Sequence, residues 1–168
     1  MGDFLISGLG SVAFEPNPAG RWDVQLPSAS GGLSVDFNVR GSEMTPALFD
    51  RVAHFVAERE RFDRIARTAI LEDHAQEPDF IPGRVYLAHH LEQFSPEERQ
   101  RYFGPVAAEA IGLNELLAAL QLVRIGLYPE SADAVAVLDY TIDRRATNYL
   151  LVANFNAAGN LLDITMES

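Results

Sequence analysis

Residues 33–40 read Leu-Ser-Val-Asp-Phe-Asn-Val-Arg, and residues 45–57 read Thr-Pro-Ala-Leu-Phe-Asp-Arg-Val-Ala-His-Phe-Val-Ala. In the first stretch apolar and polar side chains alternate, which predicts a half-buried β-strand. In the second, apolar residues recur at helical spacing behind a Thr-Pro start, which predicts an amphipathic helix. The change near residue 41 separates an N-terminal β region from a helical region.

The rest of the chain follows the same division. Helical spacing continues through the middle, where Ser95 and Glu98 have the spacing of a capping box at a helix start. Four apolar runs then read as strands, at 122–128, 134–142, 149–155 and 161–166. We predict one α+β domain over 1–168: an N-terminal β-meander, central helices and a C-terminal antiparallel sheet, with the helices packed on one face.

The composition is that of an acidic globular protein. Hydrophobic residues make up 48% of the 168 residues, which is sufficient for a core. The 13 basic residues, all Arg, stand against 24 acidic ones, for a net charge of -11. Because the basic residues do not cluster, the sequence predicts no nucleic-acid partner and favours a basic protein partner.

Targeting and redox signals point to the cytoplasm. The chain has no Cys, which excludes disulfides, thiolate metal sites and thiol catalysis. The first residues lack the basic region and apolar run of a signal peptide. No apolar stretch reaches the roughly 18 residues of a membrane helix. We therefore expect a cytoplasmic protein that does not associate with a membrane.

Histidines supply the candidate metal ligands. His54 and Glu58 lie four residues apart on a predicted helix, so that their side chains share a face and could hold a divalent metal with a third ligand. His89 or His90 could supply that ligand. His90, however, shares a helical stripe with Leu87, which favours a core histidine, and His89 is expected to be solvated.

No motif identifies a catalytic residue or a cofactor. The nucleotide-binding glycine patterns and the Gly-x-Ser-x-Gly elbow are absent. Glu72, Asp73, Glu77 and Asp79 crowd a Pro-bounded loop but lack the spacing of a calcium loop, which favours a solvated acidic segment. Asp139 is a lone carboxylate on a strand, where it is expected to contact a neighbouring loop or water.

The C-terminal strands carry a family resemblance. Asp139-Tyr140, the run Leu-Leu-Val-Ala-Asn-Phe at 150–155, Gly159 and the terminal Glu-Ser resemble the bacterial domain of unknown function 2004 family. The opening around Leu9-Gly10, followed by paired helices from Thr45, is also similar to that family. The resemblance implies a broad fold and no assigned catalytic residues.

These observations favour a non-catalytic interaction module. A small acidic protein without a cofactor motif could act by binding and masking a basic partner. An immunity-type protein, which masks a toxin, is one example. The alternative is a metal-dependent hydrolase built on the His54/Glu58 helix pair. A third interpretation is a homo-oligomer that associates through an exposed sheet edge.

Overall fold

The computed structural model describes residues 3–6, 10–13, 21–26, 32–40, 44–72 and 81–168. The strands are β1 (Asp3–Ile6), β2 (Gly10–Ala13), β3 (Arg21–Leu26), β4 (Leu33–Asn38), β5 (Gln121–Leu127), β6 (Ala136–Thr141), β7 (Leu150–Phe155) and β8 (Leu161–Glu167). The helices are α1 (Pro46–Ala57), α2 (Arg59–Leu71), α3 (Pro82–Gln93), α4 (Pro96–Phe103) and α5 (Leu113–Ala119), with a 3₁₀ turn at Ala108–Ala110. The predicted α+β class is confirmed.

Strands β3 to β8 form one mixed sheet that joins N-terminal and C-terminal strands. Its order is β3-β4-β5-β6-β7-β8, and only β4 and β5 run parallel. A parallel pair needs a long crossover, and the whole helical segment supplies it. An N-terminal meander separate from the C-terminal sheet was predicted; in the structure β3 and β4 extend the C-terminal sheet, while β1 and β2 form a hairpin of their own.

The helix starts follow the chemistry expected from the sequence. Thr45 Oγ1 accepts a hydrogen bond from the Leu48 amide at 3.3 Å, so it caps α1. Ser95 Oγ accepts from the Glu98 amide at 3.3 Å, and Glu98 Oε2 accepts from the Ser95 amide at 2.9 Å. The predicted capping box is therefore confirmed.

The sheet has two chemically different faces. Along β4 to β8, alternate side chains are apolar and buried in one core shared with the helices, among them Phe37, Ile125, Leu138, Ala153 and Phe155. Phe37 lies 6.1 Å from the ring of Phe49 on α1, which places α1 on this face. The intervening side chains point to the opposite side, where Asp36, Asp139, Thr141 and Val152 are also buried. We call this side the outer face.

Gly159 closes the β7–β8 hairpin and touches the core. Its φ is +78°, and a Cβ there would lie 3.0 Å from Phe62 Cε1. Gly159→Ala should lower the free energy of unfolding by about 2 kcal/mol, because it adds left-handed backbone strain and crowds that ring. Urea denaturation would measure this. In a Phe62→Leu background the loss should shrink, and an unchanged loss would contradict the contact.

Candidate functional site

A buried arginine joins three strands on the outer face. Arg124 on β5 donates from Nε to Asp36 Oδ1 at 2.6 Å and from Nη2 to Asp36 Oδ2 at 2.8 Å. Its Nη1 donates to Asp139 Oδ2 on β6 at 2.9 Å, and Nη2 also donates to Tyr128 Oη at 2.8 Å. The guanidinium thus has a bidentate partner on one side and two further acceptors around it, the geometry for which arginine is suited.

The sheet register puts these groups in reach of one another. Arg124 lies opposite Asp139 in the antiparallel β5–β6 pair, whereas Asp36 lies beside Gly126 across the parallel β4–β5 pair. The guanidinium reaches Asp36 by lying over Gly126, where a Cβ would be 2.5 Å from Arg124 Nη2. Gly126 therefore leaves the space that lets one arginine bridge β4 and β6.

The charged side chains of Asp36, Asp139 and Arg124 are largely buried. The Asp36 side chain is 0% exposed, that of Asp139 is 8% exposed and that of Arg124 is 21% exposed. Burial raises the pKa of the Asp139 carboxyl, against the opposite effect of Arg124. Burial alone would lower the pKa of Arg124, but its hydrogen bonds with the carboxylates and Tyr128 outweigh burial and raise it. Two carboxylates against one guanidinium leave this cluster with a formal charge of -1.

The acidic character continues across the outer face to the edge of the sheet. Asn154 Nδ2 donates to Asp163 Oδ1 at 2.6 Å, and Thr165 Oγ1 donates to Glu167 Oε1 at 3.1 Å. Asp163 is half-buried and Glu167 is exposed, so both can be reached from solvent. From β4 to β8 the face carries four carboxylates, of which Asp36 and Asp139 are buried, and the guanidinium already described.

The candidate metal ligands His54 and Glu58 contact other side chains in the structure. The His54 ring packs 4.1 Å from that of Phe55 and 5.8 Å from that of Phe62. Desolvation lowers the His54 pKa, against the raising effect of the Glu58 charge. Glu58 Oε2 accepts from Arg61 Nη1 at 2.7 Å. Among the described residues, no three His, Cys, Asp or Glu side chains form a group that could hold a metal ion.

The other two candidate histidines lie in an aromatic cluster on α3. His89 packs 4.4 Å from the ring of Tyr149 and His90 packs 4.1 Å from that of Tyr86. His90 is 1% exposed, and its Nδ1 donates to the Tyr86 carbonyl oxygen at 2.7 Å. No described group hydrogen-bonds its Nε2. His90 is thus in the core, as its apolar stripe indicated, whereas His89 is half-buried rather than fully solvated.

Burial of His90 should make the protein sensitive to acid. Desolvation lowers the His90 pKa below 6.5, against the hydrogen bond to the Tyr86 carbonyl, which raises it. The unfolded chain then binds a proton that the folded chain does not, so the free energy of unfolding should fall as the pH drops below 6.5. One such group contributes at most about 1.4 kcal/mol per pH unit. In His90→Phe, urea denaturation from pH 7.5 to 5.5 should show a shallower fall; an unchanged slope would contradict this assignment.

The acidic loop is mostly outside the described residues. Glu72 is exposed at the end of α2, while Asp73, Glu77 and Asp79 lie between 73 and 80, which the structure does not describe. Asp139 was predicted to be a lone strand carboxylate, whereas its partner Arg124 and the second carboxylate bound by that arginine, Asp36, were not predicted. Residues of opposite charge at the polar positions of different strands could have suggested an ion pair. The sequence does not reveal, however, which strands are neighbours in the sheet.

The fold and this face define an α+β domain with a helix-covered side and an acidic outer side. No protein-family model, curated protein or solved structure matches the chain. The resemblance to the bacterial domain of unknown function 2004 family stays a prediction. Over the described ranges, no helix has both the length and the apolar character needed to cross a membrane.

Proposed function

We propose that this protein is a non-catalytic binding module whose outer sheet face holds a basic surface of a protein partner. The observation that carries the proposal is the set of four carboxylates on that face, Asp36, Asp139, Asp163 and Glu167, with one guanidinium among them. Four carboxylates against one guanidinium give these five groups a formal charge of -3. Such a face attracts a basic partner and orients it.

The Arg124 cluster serves this function as a rigid support. Its donors are engaged by Asp36, Asp139 and Tyr128, so it fixes β4, β5 and β6 against one another instead of offering a free reactive group. A surface held in its binding geometry loses less conformational entropy when the partner docks. An immunity-type protein, which masks a basic toxin surface in the cytoplasm, is one concrete form of this function.

The accessible carboxylates of the outer face should contribute more to binding than carboxylates elsewhere. In Asp163→Asn/Glu167→Gln, the Kd for an arginine-rich peptide should rise roughly threefold to tenfold, because two exposed charge pairs contribute about 1 kcal/mol together. The matched control is Glu92→Gln/Glu109→Gln, which removes the same charge from exposed positions on α3 and the 3₁₀ turn. Isothermal titration calorimetry at low salt would measure both.

Two outcomes would contradict the proposal. If both double variants lose the same affinity, net charge alone governs binding and the outer face is not a site. If neither loses affinity, the peptide binds elsewhere. A pull-down from the native cell with a salt gradient complements this test, since an electrostatically held partner should elute as salt rises.

A further inference from the structure

The turn between β6 and β7 brings three arginines together around one carboxylate. Asp143 Oδ2 accepts a hydrogen bond from Arg145 Nη2 at 3.0 Å and lies 3.9 Å from Arg101 Nη2 on α4. Arg144, exposed on the same turn, supplies the third guanidinium. We call these four residues the Asp143 cluster. Its formal charge is +2, in a chain whose net charge is -11.

Asp143 fixes the shape of this turn. Its Oδ1 accepts from the Arg145 amide at 2.9 Å and from Arg145 Nε at 3.1 Å, and its backbone carbonyl accepts from the Thr147 amide at 3.2 Å. Arg144 Nη2 donates to the Val123 carbonyl oxygen at 2.6 Å, which ties the turn to β5. A turn held in this way loses less conformational entropy when a ligand binds.

Two of the guanidinium groups keep donors that face solvent. Arginine has five N–H donors, and Arg145 directs only Nε and Nη2 at Asp143, so its Nη1 has no acceptor among the described residues. The 3.9 Å between Arg101 and Asp143 is too long for a hydrogen bond, and no described group accepts one from Arg101. The side chains of Arg145 and Arg101 are 80% and 62% exposed, so one anion can reach both.

A second carboxylate, Glu98, lies close enough for its charge to act on Tyr102 beside the cluster. Its Oε2 accepts from the Ser95 amide at 2.9 Å, so it is engaged in the capping box of α4. Adding Glu98 to the Asp143 cluster still leaves a formal charge of +1. The positive charge is therefore local, and the rest of the acidic chain offers an anion little competition for it.

We propose that Arg101 and Arg145 bind a phosphate monoester between their guanidinium groups. At neutral pH such a group carries about two negative charges and three acceptor oxygens. Arginine matches phosphate geometry, and the different oxygens of a tetrahedral anion can accept from Arg145 Nη1 and from Arg101 at once. The site includes none of the outer-face carboxylates, so the proposal does not depend on a basic partner.

NMR titration at constant ionic strength tests this with inorganic phosphate, a nucleoside monophosphate and acetate as probes. Both phosphates should shift the backbone amides of Arg145 and Ala146 in a saturable way. Arg101→Gln/Arg145→Gln should raise the Kd for the monophosphate roughly tenfold or more, because charge-assisted hydrogen bonds are lost. The matched control is Arg61→Gln/Arg64→Gln, which removes the same charge from exposed positions on α2.

Each outcome bears on the proposal. Weakened binding in the first variant and wild-type binding in the control, with circular dichroism spectra unchanged, supports it. Equal weakening in both variants means that overall charge governs binding and overturns it, as does a wild-type protein that neither phosphate shifts. Acetate that binds as tightly as the phosphates rejects phosphate recognition, and binding of inorganic phosphate without the nucleoside monophosphate rejects a monoester.

Discussion

Replacing Arg124 by methionine should lower the free energy of unfolding by about 3–5 kcal/mol. The substitution keeps much of the side-chain volume but removes the charge that faces Asp36 and Asp139. Asp36 is completely buried and would be left without its bidentate partner. An uncompensated buried charge is among the most destabilising changes in a protein. Urea denaturation at neutral pH would measure the loss.

The matched control removes all three charges at once. In Arg124→Met/Asp36→Asn/Asp139→Asn no buried charge remains, so most of the loss should be recovered, as is found when buried ion pairs are replaced as a unit. Arg124→Lys should recover little, since an ammonium cannot reproduce the bidentate geometry. A loss below about 1 kcal/mol for Arg124→Met would indicate a weak surface pair and contradict the burial seen here.

Gly126→Ala should be the next most damaging of these changes, with a loss on the order of 3 kcal/mol. A methyl group at Gly126 would occupy the space where the Arg124 guanidinium lies. The guanidinium would have to shift, and Asp36 would again lose its bidentate hydrogen bonds to Arg124. The expected loss is opposite in sign to the usual benefit of replacing a strand glycine by alanine.

A double-mutant cycle isolates this cause. In the Arg124→Met background the large guanidinium is gone, so adding Gly126→Ala should have little effect or stabilise by up to about 1 kcal/mol. Strongly non-additive losses, measured by urea denaturation of the four proteins, are therefore expected. Additive losses would mean that Gly126 is needed for a reason unrelated to Arg124.

Local chemistry made much of the fold predictable. The Ser95–Glu98 capping box and the Thr45 cap involve residues three apart in sequence, and both occur in the structure as predicted. Alternation in residues 33–40 correctly indicated the strand β4, although Asp36 on its polar face is buried as well. The parallel pairing of β4 with β5 was not predicted, because the partners are separated by the whole helical segment and no local signal specifies their register.

The candidate site was less predictable for the same reason. Arg124 and Asp36 are 88 residues apart, so neither could be recognised as the partner of the other before the strand order was known. The pair His54 and Glu58 could be proposed from the sequence because residues four apart on a helix lie on the same face. In the structure, however, aromatic rings surround His54 and Arg61 engages Glu58. A metal site also needs a third ligand from elsewhere in the fold, which local spacing cannot predict.

The most direct test of the central claim is to map, by NMR, where an arginine-rich peptide contacts the protein. If the outer face is the binding site, shifts should appear in the Val137 methyl groups and the Asn154 side-chain amide, which lie on that face, with little change at Leu151 and Ile164 on the helix-covered face. Shifts concentrated on the helices around Glu92, or spread evenly over all acidic surfaces, would contradict a binding site on the outer face.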